Sequence, residues 1–228
     1  MLRTLKDFGF GKKSMDGLIS GEVSRLIAHF KLGQNKNIQV NDLFNIPIIN
    51  ALWKITASES FDYEDPKLKQ IMFHLFRLFK TVNSPGYVCG FAHPWLLNFD
   101  FVRKLLGWNE DLYHQDAVRD MLEKTIESHR ENLDENDPKD FIDMMLIEMK
   151  TEDQSSSFYG SKGEESLLEN LFDLFAAGSD TTSTTLTWSV LYMLLFPEVQ
   201  EEVQHEIDRV VGRDRLPKIS DRAEMPFT

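Results

Sequence analysis

The chain has 228 residues, of which 42% are hydrophobic, enough for a sizeable buried core. Its formal net charge of -12 counts against a nucleic-acid binder, which needs a basic face, and a lone cysteine, Cys89, excludes an internal disulfide. No run of about twenty uncharged apolar residues is present, the amount a spanning helix needs, and Met1 to Asp7 lacks the apolar core of a signal peptide.

In chain order, Asp16 to Leu32 reads as an amphipathic helix with Leu18, Val23, Leu26, Ile27 and Phe30 on one side. A second helix starts near Asn41-Asp42, good capping residues, and runs to Ser58. Pro47 fits only its first turns, because proline lacks the amide hydrogen that a helix interior needs. Asp65-Pro66 has the form of a cap followed by a first-turn proline. The stripe behind it is Leu68, Ile71, Met72, Leu75, Phe76 and Phe79.

Ser84 to Trp108 holds Pro85, Gly86, Gly90 and Pro94 among many aromatics, so it reads as irregular with short helices at most. Asp111 to Leu133 is helical, with Val118, Met121, Leu122, Thr125 and Ile126 inward. Asp137-Pro138 repeats the cap-then-proline start before Phe141, Ile142, Met145, Leu146 and Met149. Thr151 to Gly163, rich in serine, reads as a loop. A long helix follows from Glu164 to Phe196. Pro197 ends it and opens another, which Gly212 closes. No repeat and no strong strand is present, so the fold class is mainly α.

The long helix contains Ala176-Ala177-Gly178-Ser179-Asp180-Thr181-Thr182-Ser183-Thr184-Thr185. Hydroxyl residues are poor in a helix centre, and Gly178 adds roughly 1 kcal/mol of cost against alanine. One reading is a buried helix whose small residues allow close packing and whose hydroxyls bond their own backbone. The other is a loosened helix with room for a flat ligand, where Asp180 and Thr181 supply an acid and a hydroxyl for proton transfer. Other candidates are weaker. Glu202 and His205 lack the second pair that a di-iron site needs. His29, His74, His93, His114 and His129 show no ligand spacing. The aromatics from Tyr87 to Phe101 suit a cover over an apolar channel, a membrane contact or ordinary packing.

Ala177-Gly178-Ser179-Asp180-Thr181-Thr182 resembles the oxygen-binding helix of cytochrome P-450, with its pattern (Ala or Gly)-Gly-x-(Asp or Glu)-Thr-(Thr or Ser). The stretch from Phe196 to Asp208 is similar to the next helix of the animal microsomal branch, and Asp221 to Thr228 to the turn after it. Asp7 to Ser14 resembles the end of that branch's third lettered helix, and Asp137 to Asp143 the start of its eighth; Phe61-Asp62-Tyr63 also fits. The resemblance covers essentially the whole chain, in order.

The resemblance implies a single partial domain over residues 1–228, the central helical region of a cytochrome P-450 built on a long oxygen-binding helix. It implies a haem-dependent monooxygenase that inserts one atom of O2 into an apolar small molecule, with electrons from NADPH through NADPH-cytochrome P-450 reductase. Haem b would be ligated by a cysteine beyond Thr228, where the ExxR helix is also expected. Cys89 lacks the Phe-x-x-Gly-x-x-x-Cys setting of that loop, so this chain is expected to supply no metal ligand. In the implied roles Thr181 gives a hydrogen bond to the reacting oxygen and Asp180 resupplies the proton. Ala177, Gly178, Thr181 and Thr185 border the haem, and Phe172, Asp173 and Ala177 face substrate. The full-length protein is expected on the cytosolic face of the endoplasmic reticulum membrane, with no anchor in this chain. Two alternatives stay open: a non-catalytic truncated helical protein that binds an apolar ligand or partner, and a piece that does not fold alone.

Overall fold

A computed structural model describes residues 13–33, 37–40, 43–63, 65–82, 84–150 and 159–228. Among them are nine α-helices and no strand. In order these are α1 (Lys13–Leu32), α2 (Asn45–Ala57), α3 (Pro66–Val82), α4 (Pro85–Ala92), α5 (Asp100–Leu105), α6 (Trp108–Asn132), α7 (Phe141–Glu148), α8 (Gly160–Leu195) and α9 (Pro197–Val210). Short 3-10 turns occupy Pro94–Asn98 and Ile219–Glu224. The mainly α expectation is met.

Several helix ends follow the chemistry of their residues. The Lys67 amide donates to Asp65 Oδ1 at 2.8 Å, so Asp65 caps α3 with Pro66 in its first turn. Pro47 sits in the first turn of α2, where its missing amide hydrogen costs nothing; the expected cap at Asn41-Asp42 lies outside the described residues. Gly212 adopts a left-handed φ of 76° and its amide donates to the Ile207 carbonyl at 3.1 Å, closing α9.

Helix starts differ from expectation at several points: α1 begins at Lys13 rather than Asp16, and α6 at Trp108 rather than Asp111. Asp137-Pro138 does not begin a helix: Asp134 organises a turn, accepting from the Asn136 amide at 3.0 Å and from the Asp137 amide at 3.2 Å, and α7 begins only at Phe141. The long helix begins at Gly160, so the expected loop does not reach Gly163; the loop's residues 151–158 lie outside the described set.

The described residues form two compact units. The first draws on 1–60, 139–141 and 177–228. Here α1 packs on α2, and the Asn50 side chain donates to Glu22 Oε2 at 3.1 Å. α2 carries the unit's core face, with Ile49, Trp53, Ile55 and Ala57 buried. Apolar burial of this kind contributes about 1.5–3 kcal/mol per large side chain. The stripe of α1 is less covered: Leu18, Val23, Leu26 and Phe30 are half-buried and Ile27 is exposed.

The second unit draws on 61–138 and 142–176. α3 lies along α6, and α4 and α5 also contact α6. Leu68, Ile71, Met72 and Leu75 on α3 are buried, as are Val118, Leu122 and Ile126 on α6. Phe76, Phe79, Met121 and Thr125, expected inward, are only half-buried. The first half of α8 buries Leu167, Leu171 and Phe175. Arg130 joins Glu164 at 2.8 Å and Arg119 pairs with Glu169; such part-exposed pairs are worth about 0–1 kcal/mol each.

Candidate functional site

The oxygen-helix motif lies in the second half of α8, which is an unbroken α-helix from Gly160 to Leu195. The hydroxyl-rich centre therefore does not open the backbone ladder. Several of its hydroxyls instead bond one turn back. Thr181 Oγ1 donates to the Ala177 carbonyl at 2.7 Å and Thr185 Oγ1 to the Thr181 carbonyl at 2.8 Å. Thr187 Oγ1 donates to Ser183 O at 2.9 Å, and Ser183 Oγ to Asp180 O at 3.2 Å. These bonds satisfy the hydroxyl protons locally and fix the direction of each side chain.

Ala177, Thr181 and Thr185 follow one another at four-residue spacing and all three are exposed. They form a shallow strip of one methyl and two hydroxyl groups. Thr184 beside them is also exposed, whereas Ser179 and Ser183 are buried and Asp180 is half-buried. The helix thus separates its hydroxyls: Ser179 and Ser183 face the interior, and the motif threonine faces outward.

Gly178 belongs to a different face. A Cβ there would meet the movable Cδ1 end of Leu52 of α2, so α8 lies close against α2 at this point. Beyond this contact lies an apolar groove of about 450 Å³, lined by Ile19, Val23 and Leu26 of α1, Ile48 and Leu52 of α2, and Thr182 and Leu186 of α8. The smallness of Ala177 and that of Gly178 therefore have separate physical reasons. One leaves the helix surface bare, and the other seats it on α2.

Five of the seven residues singled out from the sequence, Ala177, Gly178, Asp180, Thr181 and Thr185, lie in the first unit. Phe172 and Asp173 lie in the second, where Phe172 is half-buried and Asp173 exposed. Cys89 also lies in the second unit, half-buried on α4 rather than in a loop. The strip is bare enough for a flat group to lie against it, since no side chain longer than threonine stands between Ala177 and Thr185 at this spacing. The strip carries no thiol or imidazole, so it fits a face of such a group and offers no axial ligand. Glu202 and His205 are exposed on α9, as on any amphipathic helix.

The structure also brings together residues that spacing did not connect. His74 of α3 and His114 of α6 are buried in the second unit with Nδ1 atoms 2.8 Å apart. They are forty positions apart in sequence, and only the α3–α6 pairing joins them. Their places on the buried faces, beside Leu75 and one turn before Val118, were the available signal.

The cytochrome P450 family model matches residues 1–228. The chain is 33% identical over 226 residues to cytochrome P450 2B3 of Rattus norvegicus, covering 99% of this chain and 45% of the relative. It is 36% identical over 231 residues to cytochrome P450 2C14 of Oryctolagus cuniculus, and 33% identical over 232 residues to farnesoate epoxidase of Bombyx mori; each match covers 100% of this chain and 45% of the relative. The chain thus spans about half the length of the curated relatives it matches. With the motif of α8 and the order of helices around it, the chain belongs to the cytochrome P450 family.

Proposed function

We propose that the protein to which this chain belongs is a haem monooxygenase that inserts one oxygen atom from O2 into an apolar small molecule. Residues 1–228 form one partial domain of it. The observation that carries this reading is the exposed strip of Ala177, Thr181 and Thr185 on α8, in a chain that matches the cytochrome P450 family throughout. The Bombyx mori relative is named for an epoxidation, which is an oxygen transfer.

Haem, when bound, supplies the oxygen-activating redox chemistry. Ala177, Thr181 and Thr185 would border it, and Gly178 lies against Leu52 on another face of the helix. Thr181 holds a hydroxyl proton at the exposed face; its bond to the Ala177 carbonyl fixes the oxygen in position, and rotation about one torsion turns the proton outward. Asp180, adjacent and half-buried, resupplies that proton. Phe172, Asp173 and Ala177 contact substrate. Electrons would come from NADPH through NADPH-cytochrome P450 reductase, and a cysteine outside this chain would supply the thiolate that holds the iron.

The exposed aromatics Phe91, Trp95, Phe99 and Phe101 support contact with a membrane surface, on the cytosolic side of the endoplasmic reticulum. Among the described residues no helix is long and apolar enough to cross a membrane. A second reading, a non-catalytic helical protein that takes an apolar ligand, draws on the groove beside Gly178. The full-length protein, supplied with haem, reductase, NADPH and a panel of apolar compounds, separates the two. Oxygenated product that depends on all three supports the enzyme. A protein that retains no haem contradicts it.

A further inference from the structure

His74 and His114 share one short contact in the interior of the second unit. Both side chains are buried, at 5% and 4% exposure, and their Nδ1 atoms lie 2.8 Å apart. The edges of Phe73 and Tyr113 close around the two rings. A contact of this length requires one nitrogen to carry a hydrogen and the other to offer a lone pair. Two neutral imidazoles meet that condition by adopting opposite tautomers. A first extra proton goes to the outer nitrogen of the donor ring and leaves the shared bond in place. At the outer edge of the pair, His114 Nε2 is buried without a hydrogen-bond partner and lies 3.8 Å from Glu110 Oε1. A second extra proton has only the bare Nδ1 to occupy. Two N–H groups would then point at one another across 2.8 Å, between two rings that are each almost fully buried.

The charges around the pair come from both helices. On α6 these are Glu110 and Asp111; Asp111 is fully buried, accepts from the Gln115 side chain at 3.3 Å, and has an unpartnered Oδ1. On α3 it is Arg77, 3.9 Å from Glu110 and 5.4 Å over the Phe73 ring. α4 contacts both helices, and among the described residues no ionisable group of it makes a hydrogen bond or ion pair with either histidine. Tyr87 of α4 stacks instead on Trp108, 4.7 Å between ring centres. Burial, and then the neighbouring His114, hold His74 below the usual histidine range. Burial pushes the Asp111 carboxyl up, against the opposing pull of His114.

We propose that His74 and His114 form a proton-sensitive latch between α3 and α6, closed while the pair carries at most one extra proton and released by the second. The two helices flank the segment from Pro85 to Leu105 that exposes Phe91, Trp95, Phe99 and Phe101, so releasing the latch loosens the mounting of that aromatic segment. The direction follows from proton counting. Below an ordinary histidine value of about 6.5, the unfolded pair takes up two protons and the closed pair one. The latch is therefore at full strength above that value and weakens as pH falls through it.

Hydrogen–deuterium exchange of the full-length haem-loaded protein tests this, at about pH 7.5 and about pH 5.5, with rates corrected for the intrinsic chemistry of exchange. One proton of difference over one pH unit predicts about a tenfold loss of protection at acid pH in peptides from 66–82 and 108–132. Peptides from 197–210 should be unaffected. His74→Asn should lose less than about twofold, because its side-chain oxygen can turn to accept from a protonated His114. His114→Asn should behave the same way and serves if the first variant folds poorly. Protection in the wild type that does not depend on pH, a loss spread equally over 197–210, or a tenfold loss that persists in either variant would overturn the latch.

Discussion

Both halves of α8 carry large apolar residues, and these have opposite fates. In the first half, within the second unit, Leu167, Leu171 and Phe175 are fully buried and ion pairs to α6 flank them. In the second half, within the first unit, Leu186, Trp188, Leu191, Tyr192, Leu194 and Leu195 are all exposed, and Trp188, Tyr192 and Phe196 form a ladder of rings along one side. Apolar sequence is thus an unreliable guide to which half is core. Burial depends on which neighbours are at hand, and the motif strip of Ala177, Thr181 and Thr185 lies in the half that is left open.

The largest effect expected from this contrast is on stability. Phe175→Ala in the 228-residue chain should cost about 3–5 kcal/mol in urea unfolding, the range for a buried phenylalanine. Trp188→Ala, at 52% exposure, should stay within about 0.5 kcal/mol. Equal costs would mean that the second half of α8 is covered. The open half should also bind a dye for apolar surfaces, and Trp188→Ser with Tyr192→Ser should lower that signal while leaving the unfolding midpoint nearly unchanged.

Gly178 sharpens the comparison at the point where the halves differ least. Gly178→Ala should be close to neutral, because the gain in helix propensity offsets the shift forced on the mobile end of Leu52. Gly178→Val should cost about 1–3 kcal/mol by the same unfolding measurement.

The smallest effects concern single carboxyls, and their pH dependence runs in opposite directions. Burial raises Asp111, so its charge opposes folding above the ordinary carboxylate range, and stability recovers as the group takes up its proton. Asp111→Asn should raise the unfolding midpoint at neutral pH and flatten that recovery. In the first unit, burial pushes Glu206 up, but hydrogen bonds from Thr228 and Phe227 and the charge of Arg209 win and hold it low. Its amide contacts are 3.2 Å to Phe227 and 2.7 Å to Thr228. That contribution is present above the ordinary carboxylate value and is lost as pH falls through the lowered one. In Glu206→Gln, proteolysis of residues 219–228 should already be faster at neutral pH and should change little with acid.

Much of the helical order was legible because caps and prolines act locally. Asp65-Pro66 and Pro197 mark helix starts for reasons contained in two or three residues. The same pattern at Asp137-Pro138 misleads, because Asp134 captures the Asn136 and Asp137 amides in a turn first. Ser84-Pro85 carried the signal too: the Ser84 hydroxyl accepts from the Tyr87 amide at 3.1 Å and starts α4. At the candidate site, the motif singled out Thr181 and Asp180 from adjacent residues alone, and the structure places Thr181 on the exposed face and Asp180 half-buried beside it. The motif did not reveal that Gly178 serves α2 while Ala177 serves the open face, since that depends on Leu52, more than a hundred positions away. His74 and His114 were invisible to spacing for the same reason.

The account rests on Thr181 acting from the open strip, and coupling tests it most directly. In the full-length haem-loaded protein with reductase, the quantity to measure is oxygenated product and hydrogen peroxide formed per NADPH consumed. Thr181→Ala and Thr187→Ala are the informative pair. Each deletes a hydroxyl bonded one turn back, but Thr181 is exposed on the strip and Thr187 is half-buried away from it. Thr181→Ala should keep its haem and divert NADPH from product to peroxide, with the proton-assisted step slowed roughly 10²–10⁴-fold. Thr187→Ala should remain coupled like the wild type. Unchanged coupling in Thr181→Ala, or equal uncoupling in both, would contradict the role assigned to the strip.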